Sequence, residues 1–501
     1  MFEAAEVGRS VNKEDYIRDV AELRPRLLDA QMALRNADFP LLIIIGGVDG
    51  AGKGETVNTL LEWLDPRYVE TFALTAPSDE EAERPPYYRF WKALPPKGKI
   101  GIFFGGWHTA PIVERAQRHI RRDEFERQLN EVAAFERQLV SDGAVLLKFW
   151  MHLSKDRQRK RLRSLEKDKQ QRWRVTPADW AHFEMYDRFA EVSAHALRRT
   201  STVEAPWTVL EASCRRYQTL TVGQTIERAI HQQLSARVTQ RNATAEAAVQ
   251  APEPQALPPT VEAANITILS SLDLSKALPA DEYDDRMQQA QGDLNRLARK
   301  AAKRGVSTVV VFEGVDAAGK GGAIRRITSA LDARQYRIVP VAAPDQEERR
   351  YPYLWRFWRR LGRGGTFTIF DRSWYGRVLV ERVEGFCSVA DWQRAYAEIN
   401  DFEEQLTRRK TVLVKLWLHI DQDEQLRRFT ERAETPWKRF KITDEDWRNR
   451  QKWPLYAGAV NDMIERTSTE IAPWTLVESN DKRFARIKVL ETVAAALQQA
   501  L

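Results

Sequence analysis

The chain has 501 residues, of which 43% are hydrophobic and 30% are charged, and its formal net charge is +7. This length exceeds one ordinary hydrophobic core and predicts a globular protein of two or more domains. No apolar run reaches the roughly 18 residues of a membrane-spanning helix, and the first residues lack an apolar signal core. We therefore expect no membrane partner and a cytoplasmic location.

The charge and the cysteines give little further direction. A mildly basic balance suits a polyanionic partner, but nucleic acid, polyphosphate and a solvated surface all fit it. Cys214 and Cys387 lie in different halves at unmatched positions, which does not suit a disulfide framework or a thiolate metal site. We interpret both cysteines as incidental.

The second half of the sequence repeats the first at a constant offset. Lys320 and Lys53 are 267 positions apart, and the same offset aligns residues 314–321 with residues 47–54 and Lys415 with Lys148. So long a period indicates duplication of a whole domain, since solenoid repeats are far shorter. We predict domains over residues 1–241 and 266–501. A proline- and alanine-rich linker without helical or strand periodicity is predicted over residues 242–265.

In chain order, each half begins with a helical pattern and continues into a β-branched strand, a glycine-rich turn and another helix. The matching segments are residues 14–34, 41–45 and 56–64 in the first half and 282–303, 308–312 and 323–331 in the second. Further predictions in the second half are strands at 337–341, 366–370 and 412–418, a helix at 390–409, and a charged helical stretch from 422 to 446. This alternation predicts an α/β fold of two tandem P-loop kinase-like domains, each a mainly parallel sheet between helices with a helical lid.

The turn after the first strand of the second half has the spacing of a phosphate-binding loop. Gly314 is followed by Gly319 and Lys320, and the loop joins a strand to a helix. Loop amides and the helix N-terminus attract phosphate oxygens, which the lysine also reaches. A glycine-rich turn beside a surface lysine is the alternative, but the strand before and the helix after favour phosphate binding. The other loop residues that we expect at the phosphates are Ala317, Ala318, Gly321 and Gly322.

Two carboxylates are candidate metal ligands. Gly321 replaces the serine or threonine that usually follows the lysine and binds Mg²⁺, so Asp316 is the substitute oxygen ligand, unless it only caps a turn. Asp371 follows a predicted strand, where P-loop folds carry a second metal ligand. Arg372 comes next, then Tyr375 and Arg377, and arginines bind phosphate oxygens through their planar fork.

Two further groups of residues have more than one interpretation. Arg427 and Arg428 either belong to a lid over the transferring phosphate or to a solvated, salt-bridged helix, and both interpretations stay open. For the basic residues that follow, a solvated surface is favoured. The aromatic residues between 351 and 358 either stack a base or form core. A triplet at 356–358 recurs in the first half, which favours a structural role for it.

Together, the segments 314–322, 371–377 and 272–274 resemble the polyphosphate kinase 2 family. The resemblance covers residues 270–501 well and residues 10–235 more weakly, and two fused copies are similar to the tandem class of that family, the polyphosphate:AMP phosphotransferases. It implies transfer of the terminal phosphoryl group of inorganic polyphosphate to AMP, giving ADP, with Mg²⁺ as cofactor. Nucleic acid is not an expected partner, and the sequence is compatible with a homo-oligomer.

The resemblance assigns roles mainly to the second half. It implies catalytic roles for Asp316, Lys320, Asp371 and Arg372, of which the two aspartates hold the metal, and phosphate contacts for Arg377, Arg427 and Arg428. The first half has Phe104, Gly105, His108 and Ala110 where the second has Asp371, Arg372, Tyr375 and Arg377. We expect the first half to be non-catalytic, with Lys53 still able to hold a phosphate chain. Phosphorylation of nucleoside diphosphates, an ATP-dependent kinase and a non-catalytic polyanion-binding protein are the alternatives.

Overall fold

The structure, a computed structural model, describes residues 1–250, 267–436 and 442–501. It divides into two compact units. Unit 1 comprises Met1–Pro77, the described part of Ala93–Leu257, and Gln346–Pro352. Unit 2 comprises Ser78–Lys92, the described part of Pro258–Asp345, and Tyr353–Leu501. Each unit therefore includes a short segment from the other half of the sequence, which the sequence did not indicate.

Each unit contains one sheet of five parallel strands. In unit 1 the order is β2-β3-β1-β4-β5, and in unit 2 it is β7-β8-β6-β9-β10, so the two sheets have the same topology. The strands are β1 (Leu41–Gly47), β2 (Val69–Ala73), β3 (Ile100–Phe104), β4 (Val145–His152), β5 (Trp207–Glu211), β6 (Ser307–Gly314), β7 (Tyr336–Pro340), β8 (Phe367–Asp371), β9 (Thr411–His419) and β10 (Trp474–Glu478). These sheets confirm the predicted fold class.

Helices cover the sheets and bury their apolar strands. The first half carries α1 (Lys13–Arg35), α2 (Lys53–Trp63), α3 (Asp79–Ala82), α4 (Tyr88–Lys92), α5 (Thr109–Ala116), α6 (Arg122–Ser141), α7 (Lys155–Lys167), α8 (Pro177–Glu184), α9 (Tyr186–Thr200) and α10 (Arg215–Gln250). The second half carries α11 (Ala280–Lys303), α12 (Lys320–Ser329), α13 (Trp355–Trp358), α14 (Val380–Val383), α15 (Val389–Thr407), α16 (Gln422–Glu434), α17 (Asp444–Gln451), α18 (Trp453–Thr467) and α19 (Lys482–Ala500). The central strands β1 and β6 are almost wholly buried, as parallel strands covered on both faces must be.

Two predictions of local structure need correction. Helix α10 continues to Gln250, so the first residues of the predicted linker are helical, because this stretch is rich in alanine, the best helix former. The charged stretch after residue 422 is not one helix. Helix α16 ends at Glu434, where Thr435 is extended because Pro436 follows it, and α17 begins only at Asp444.

Some predictions fall outside the described residues. The rest of the linker, residues 251–265, lies there, as do the basic residues Lys438, Arg439 and Lys441. In the part of the chain that the structure describes, no helix combines the length and the apolar character needed to cross a membrane.

Candidate functional site

The predicted phosphate-binding loop of unit 2 joins β6 to α12 and has the backbone that such a loop requires. Gly314 has a φ of 151°, and a Cβ on it would lie 2.4 Å from the Leu418 carbonyl oxygen, so only glycine fits. Ala317, at φ 65°, and Gly319, at φ 110°, are both left-handed. Since α12 begins at Lys320, the first backbone N–H groups of the helix lie at the loop and can serve an anion.

Lys320 lies against its own loop and in the middle of several charges. Its Nζ donates to the carbonyl oxygens of Gly314, at 2.6 Å, and Val315, at 3.3 Å. Burial, together with the Arg372 guanidinium, lowers the pKa of Lys320 below its ordinary value. The carboxylates of Asp316, Asp371 and Glu313 oppose this shift. The structure therefore brings Asp316, Asp371 and Arg372 around Lys320, as their predicted roles require.

Asp316 is held from two sides. Its Oδ1 lies 3.3 Å from a guanidinium nitrogen of Arg372, and its Oδ2 accepts a 2.9 Å hydrogen bond from Nδ2 of Asn449 in α17. Asn449 occupies the position of His182 in the first half, and our sequence analysis did not select it. That amide fixes the orientation of the aspartate and connects α17 to the loop.

Asp371 and Arg372 are placed by the end of β8. Asp371 pairs with Phe312 of β6, so it ends the strand beside the one that leads into the loop. Arg372 has a φ of 63°, which is unusual for a residue with a side chain, and its N–H donates to the Phe312 carbonyl at 3.0 Å. Although burial lowers the pKa of Arg372, the carboxylates of Asp316 and Glu313 raise it above its usual value. The guanidinium is therefore a permanent positive charge beside the loop.

Glu313, the residue before Gly314, is a buried carboxyl that our sequence analysis missed. Its Oε1 accepts a 2.8 Å hydrogen bond from Oγ of Ser373, and burial raises its pKa above the ordinary value. The first half has Gly46 at this position, so the repeat contained the signal. Because Glu313 also lies beside Lys320 and lines the cavity at the loop, we add it to the candidate site residues.

The three outlying arginines have different surroundings. The Arg428 side chain is 3% exposed and donates to the carbonyl oxygens of Ala317 at 2.9 Å, Ser479 at 2.6 Å and Asn480 at 2.9 Å. Arg427, 60% exposed, pairs with Glu424 at 2.7 Å. Arg377 pairs with Glu381 at 3.0 Å and lies over the Tyr353 ring, so neither of these contacts is with the loop. Arg428 thus stabilises the loop through the Ala317 carbonyl, whereas Arg427 faces solvent.

Tyr375 does not lie in the phosphate site, where our sequence analysis had grouped it with Arg372. It is fully buried, and its hydroxyl donates to Glu403 at 2.7 Å, while Lys415 Nζ lies 2.7 Å from the other Glu403 oxygen. The short 3₁₀ helix Trp374–Arg377 turns the tyrosine inward. Unit 1 repeats this cluster with His108, Glu136 and Lys148, which indicates a structural role in both units.

A cavity opens beside the loop of unit 2. Its polar wall includes Glu313 to Asp316 and Arg372, and its apolar wall is formed by Leu379, Val380, Trp417, Trp453 and Tyr456. His419 also borders it, and burial lowers its pKa to about 4, so the ring is neutral at neutral pH. An apolar concavity with a few converging polar groups is the usual form of a small-molecule site. The aromatic residues of α13, by contrast, are buried in the core, as the repeat suggested.

Unit 1 keeps the loop with its lysine and aspartate, but it lacks the charged residues that unit 2 has at the end of β8. Lys53 Nζ donates to Gly47 at 2.7 Å and Val48 at 3.1 Å, as Lys320 does in unit 2. Asp49 pairs with Lys53 at 3.4 Å and with His182 at 2.8 Å. The end of β3 carries Phe104 and then a glycine, so no carboxylate or guanidinium stands where unit 2 has Asp371 and Arg372.

Unit 2 offers two carboxylates that could bind a hard divalent cation. Asp316 and Asp371 both border Lys320 and offer the carboxylate oxygens that Mg²⁺ accepts. No cluster of three or more histidine, cysteine, aspartate or glutamate side chains suited to a metal occurs among the described residues. Mg²⁺ at such sites takes only one or two protein carboxylates and completes its shell with phosphate oxygens and water, so two aspartates suffice.

A parallel sheet, a glycine-rich loop followed by lysine and a set of carboxylates and arginine define the class of P-loop phosphotransferase folds. The family description "Polyphosphate kinase 2 (PPK2)" matches residues 10–238 and 277–501. The chain belongs to the polyphosphate kinase 2 family, and each half carries one copy of its domain.

Similar proteins extend over the whole chain. A polyphosphate:AMP phosphotransferase of Pseudomonas aeruginosa is 53% identical over 501 residues, covering 100% of this chain and 99% of that protein. One from Acinetobacter johnsonii is 37% identical over 484 residues, covering 94% of this chain and 95% of that protein. The crystal structure of a putative polyphosphate kinase 2 from Pseudomonas aeruginosa superposes with a TM-score of 0.88 at 50% identity, covering 100% of this chain and 99% of that one.

Proposed function

We propose that the chain transfers the terminal phosphoryl group of inorganic polyphosphate to AMP, giving ADP, at the loop of unit 2. The main support is the set of charges around Lys320, in which two aspartates and Arg372 meet at a phosphate-binding loop. Phosphoryl transfer depends on this kind of positioning and charge stabilisation. The names of the similar full-length proteins support the choice of donor and acceptor.

In this proposal the loop amides and Lys320 bind the terminal phosphates of the donor. An oxygen of the AMP phosphate attacks the terminal phosphorus, and the bond to the bridging oxygen breaks. The electron pair leaves with a polyphosphate chain that is one phosphate shorter. The AMP oxygen is already anionic, so no general base is needed. The Arg372 guanidinium offsets negative charge on the transferring group.

Asp316 and Asp371 would hold Mg²⁺, which neutralises phosphate charge and orients the reacting groups when bound. Asn449 positions Asp316 for this task through its 2.9 Å hydrogen bond. Arg428 supports the loop through the Ala317 carbonyl, and the buried Glu313 adds a carboxyl group beside Lys320.

An acceptor panel with long-chain polyphosphate as the sole phosphate donor tests the proposal. We expect ADP to form from AMP, faster than ATP forms from ADP or the corresponding products form from GMP and GDP. The matched control is Lys320→Ala, which should lose at least about 10²-fold in rate, as when a preorganised charge-stabilising donor is removed. A clear preference for ADP, or binding of polyphosphate without transfer, would contradict the proposal, as would transfer seen only in a parallel reaction that contains ATP as the donor.

A further inference from the structure

A second concavity of unit 1 is lined mainly by arginines. It is open, has a volume of about 700 Å³, and lies where the end of α5, the turn before α6 and the start of α9 meet. Four of its seven lining residues are Arg115, Arg118, Arg121 and Arg188. The residues of the unit 1 loop do not line it. Four guanidinium groups from two segments of the chain therefore border one open space.

The carboxylates at this concavity do not neutralise the four arginines. Its two acidic residues are Asp187, which forms an ion pair with Lys155, and Glu191. Among the residues that the structure describes, no carboxylate forms an ion pair with any of the four arginines. The concavity therefore has a positive charge that the protein itself leaves largely unbalanced, which favours an anionic ligand.

Two of the guanidinium groups are held in place by backbone oxygens. Arg115 Nη1 donates to the Ile120 carbonyl at 3.1 Å, and Arg188 Nη2 donates to the Arg115 carbonyl at 3.0 Å. Burial lowers the pKa of Arg188, and the charges of Arg118 and Arg115 lower it further, against the charge of Glu191. A guanidinium has five N–H donors, so both groups keep donors for a ligand.

The corresponding residues of unit 2 show that the fold does not need these arginines. Arg118 has a φ of 66°, and its counterpart is Gly385, with a φ of 71°, which adopts this conformation without strain. Arg121 is the N-cap of α6 but its side chain caps nothing, whereas its counterpart Ser388 caps α15 by accepting from the N–H of Asp391. Serine is among the best N-cap residues, and arginine offers no acceptor. Unit 1 thus has arginines at two positions where local structure favours another residue.

The other two positions differ in charge balance. Arg188 corresponds to Leu455, and Arg115 corresponds to Arg382, which pairs with Asp462 at 2.7 Å. Unit 1 has a histidine in place of that aspartate. Unit 2 therefore has one neutralised arginine where unit 1 has four arginines without a carboxylate partner.

We propose that this concavity binds a segment of an inorganic polyphosphate chain, as an anion site of unit 1 separate from its loop. The planar fork of a guanidinium matches phosphate oxygens, and several forks around one space suit a run of phosphates. No aromatic side chain lines the concavity, so it lacks the stacking surface that single-stranded nucleic acid uses. The anionic class follows from the arginines, whereas the choice of polyphosphate rests on the proposed function.

The test measures binding of long-chain polyphosphate to the full-length chain at several salt concentrations. All samples carry Lys320→Ala, which weakens the loop of unit 2. The key variant also has the unit 2 residues at three positions, Arg118→Gly, Arg121→Ser and Arg188→Leu. We expect it to bind at least about tenfold more weakly. The slope of log affinity against log salt should fall by about 2, because each phosphate contact of a flexible polyanion contributes about 0.7.

The matched control removes the same charge elsewhere on unit 1. Arg24→Gln, Arg198→Gln and Arg228→Gln together replace exposed arginines outside the concavity and should change the affinity less than about threefold. If the triple variant unfolds, Arg118→Gly and Arg121→Ser decide singly, since each improves the local backbone while removing one charge, and each should lower the salt slope. An affinity unchanged in folded variants, or a loss as large in the control, would overturn the proposal.

Competition separates polyphosphate from nucleic acid. We expect single-stranded RNA, at an equal concentration of phosphate groups, to displace polyphosphate poorly from this site. Displacement by RNA at lower concentration than by unlabelled polyphosphate would contradict the choice of ligand. A chain that forms no ADP but loses polyphosphate binding in the triple variant would refute the proposed function alone, whereas normal transfer with unchanged binding would refute only this site.

Discussion

Arg372 adopts a backbone conformation that suits glycine. Its φ is 63°, and the corresponding Gly105 of unit 1 has a φ of 74°. A residue with a side chain loses roughly 1–2 kcal/mol in the left-handed region. Unit 1 has a glycine here, which adopts this conformation without strain, whereas unit 2 has an arginine despite the cost in free energy. Strain of this kind concentrates where function requires a particular side chain.

Two substitutions of Arg372 separate function from strain. Arg372→Gly and Arg372→Ala should both reduce phosphoryl transfer by about 10²-fold or more, because both remove the guanidinium beside Asp316. The free energy of unfolding should be about 1 kcal/mol larger for the glycine variant than for the alanine variant, because only alanine keeps the backbone strain. Steady-state rates and denaturant unfolding followed in unit 2 measure the two effects. An alanine variant as stable as the glycine variant, or more than a tenth of the rate retained, would count against this interpretation.

At the scale of elements, α16 shows how neighbouring residues on one helix acquire different tasks. Arg427 and Arg428 are adjacent, yet their side chains are 60% and 3% exposed. Among the described residues, the first forms ion pairs with Glu424 and Glu431 of its own helix, while the second joins α16 to the loop and to the residues after β10. The sequence left both as candidate lid arginines, and burial gives only Arg428 a structural link to the loop.

We therefore expect different results from the two alanine variants. Arg427→Ala should change the rate less than about twofold, because its side chain faces solvent. Its exposed ion pair contributes only about 0–1 kcal/mol to stability. Arg428→Ala should destabilise unit 2 by roughly 1–3 kcal/mol and reduce transfer strongly, because it removes the donor to the carbonyls of Ala317, Ser479 and Asn480. Thermal unfolding and initial rates of both variants provide the comparison. A larger loss of rate in Arg427→Ala would restore the lid interpretation for that residue.

The strands and the loop could be predicted because their signals are local. A β-branched run followed by a glycine-rich turn and an amphipathic helix defines β6, the loop and α12 with few alternatives. The direction of Tyr375 could not be predicted, because it depends on the 3₁₀ turn after Arg372 and on Glu403, which is distant in sequence. Asn449 was missed for the same reason, since its contact with Asp316 forms only when α17 folds over the loop.

Glu313 is a different kind of omission. The repeat places it opposite Gly46, a contrast as strong as that between Asp371 and Phe104, and both contrasts are visible in the sequence. A residue within a buried strand is normally assigned to the core, however, and only the structure shows that this carboxyl borders the loop. The alanines before Gln250 favour the helix that the structure shows there, whereas the prolines that follow favour a linker.

At the scale of the whole molecule, the two units share a sheet topology, a glycine-rich loop and a buried lysine–glutamate cluster. They differ at the ends of β3 and β8, where unit 1 has Phe104 and Gly105 and unit 2 has Asp371 and Arg372. The fold of unit 1 does not depend on the lost charges, because Gly47 and the buried cluster at Glu136 and Lys148 support its sheet and loop. Unit 1 is therefore a domain that keeps its architecture without the counterparts of the residues that we propose for phosphoryl transfer.

The matched lysines of the two loops test this division most directly. The measurement is the rate of ADP formation from AMP with short and with long polyphosphate, for Lys53→Ala and Lys320→Ala in the full-length chain. We predict that Lys320→Ala loses at least about 10²-fold, while Lys53→Ala retains nearly the full rate with both donors. A loss in Lys53→Ala as large as that in Lys320→Ala would contradict the account, because unit 1 would then take part in catalysis.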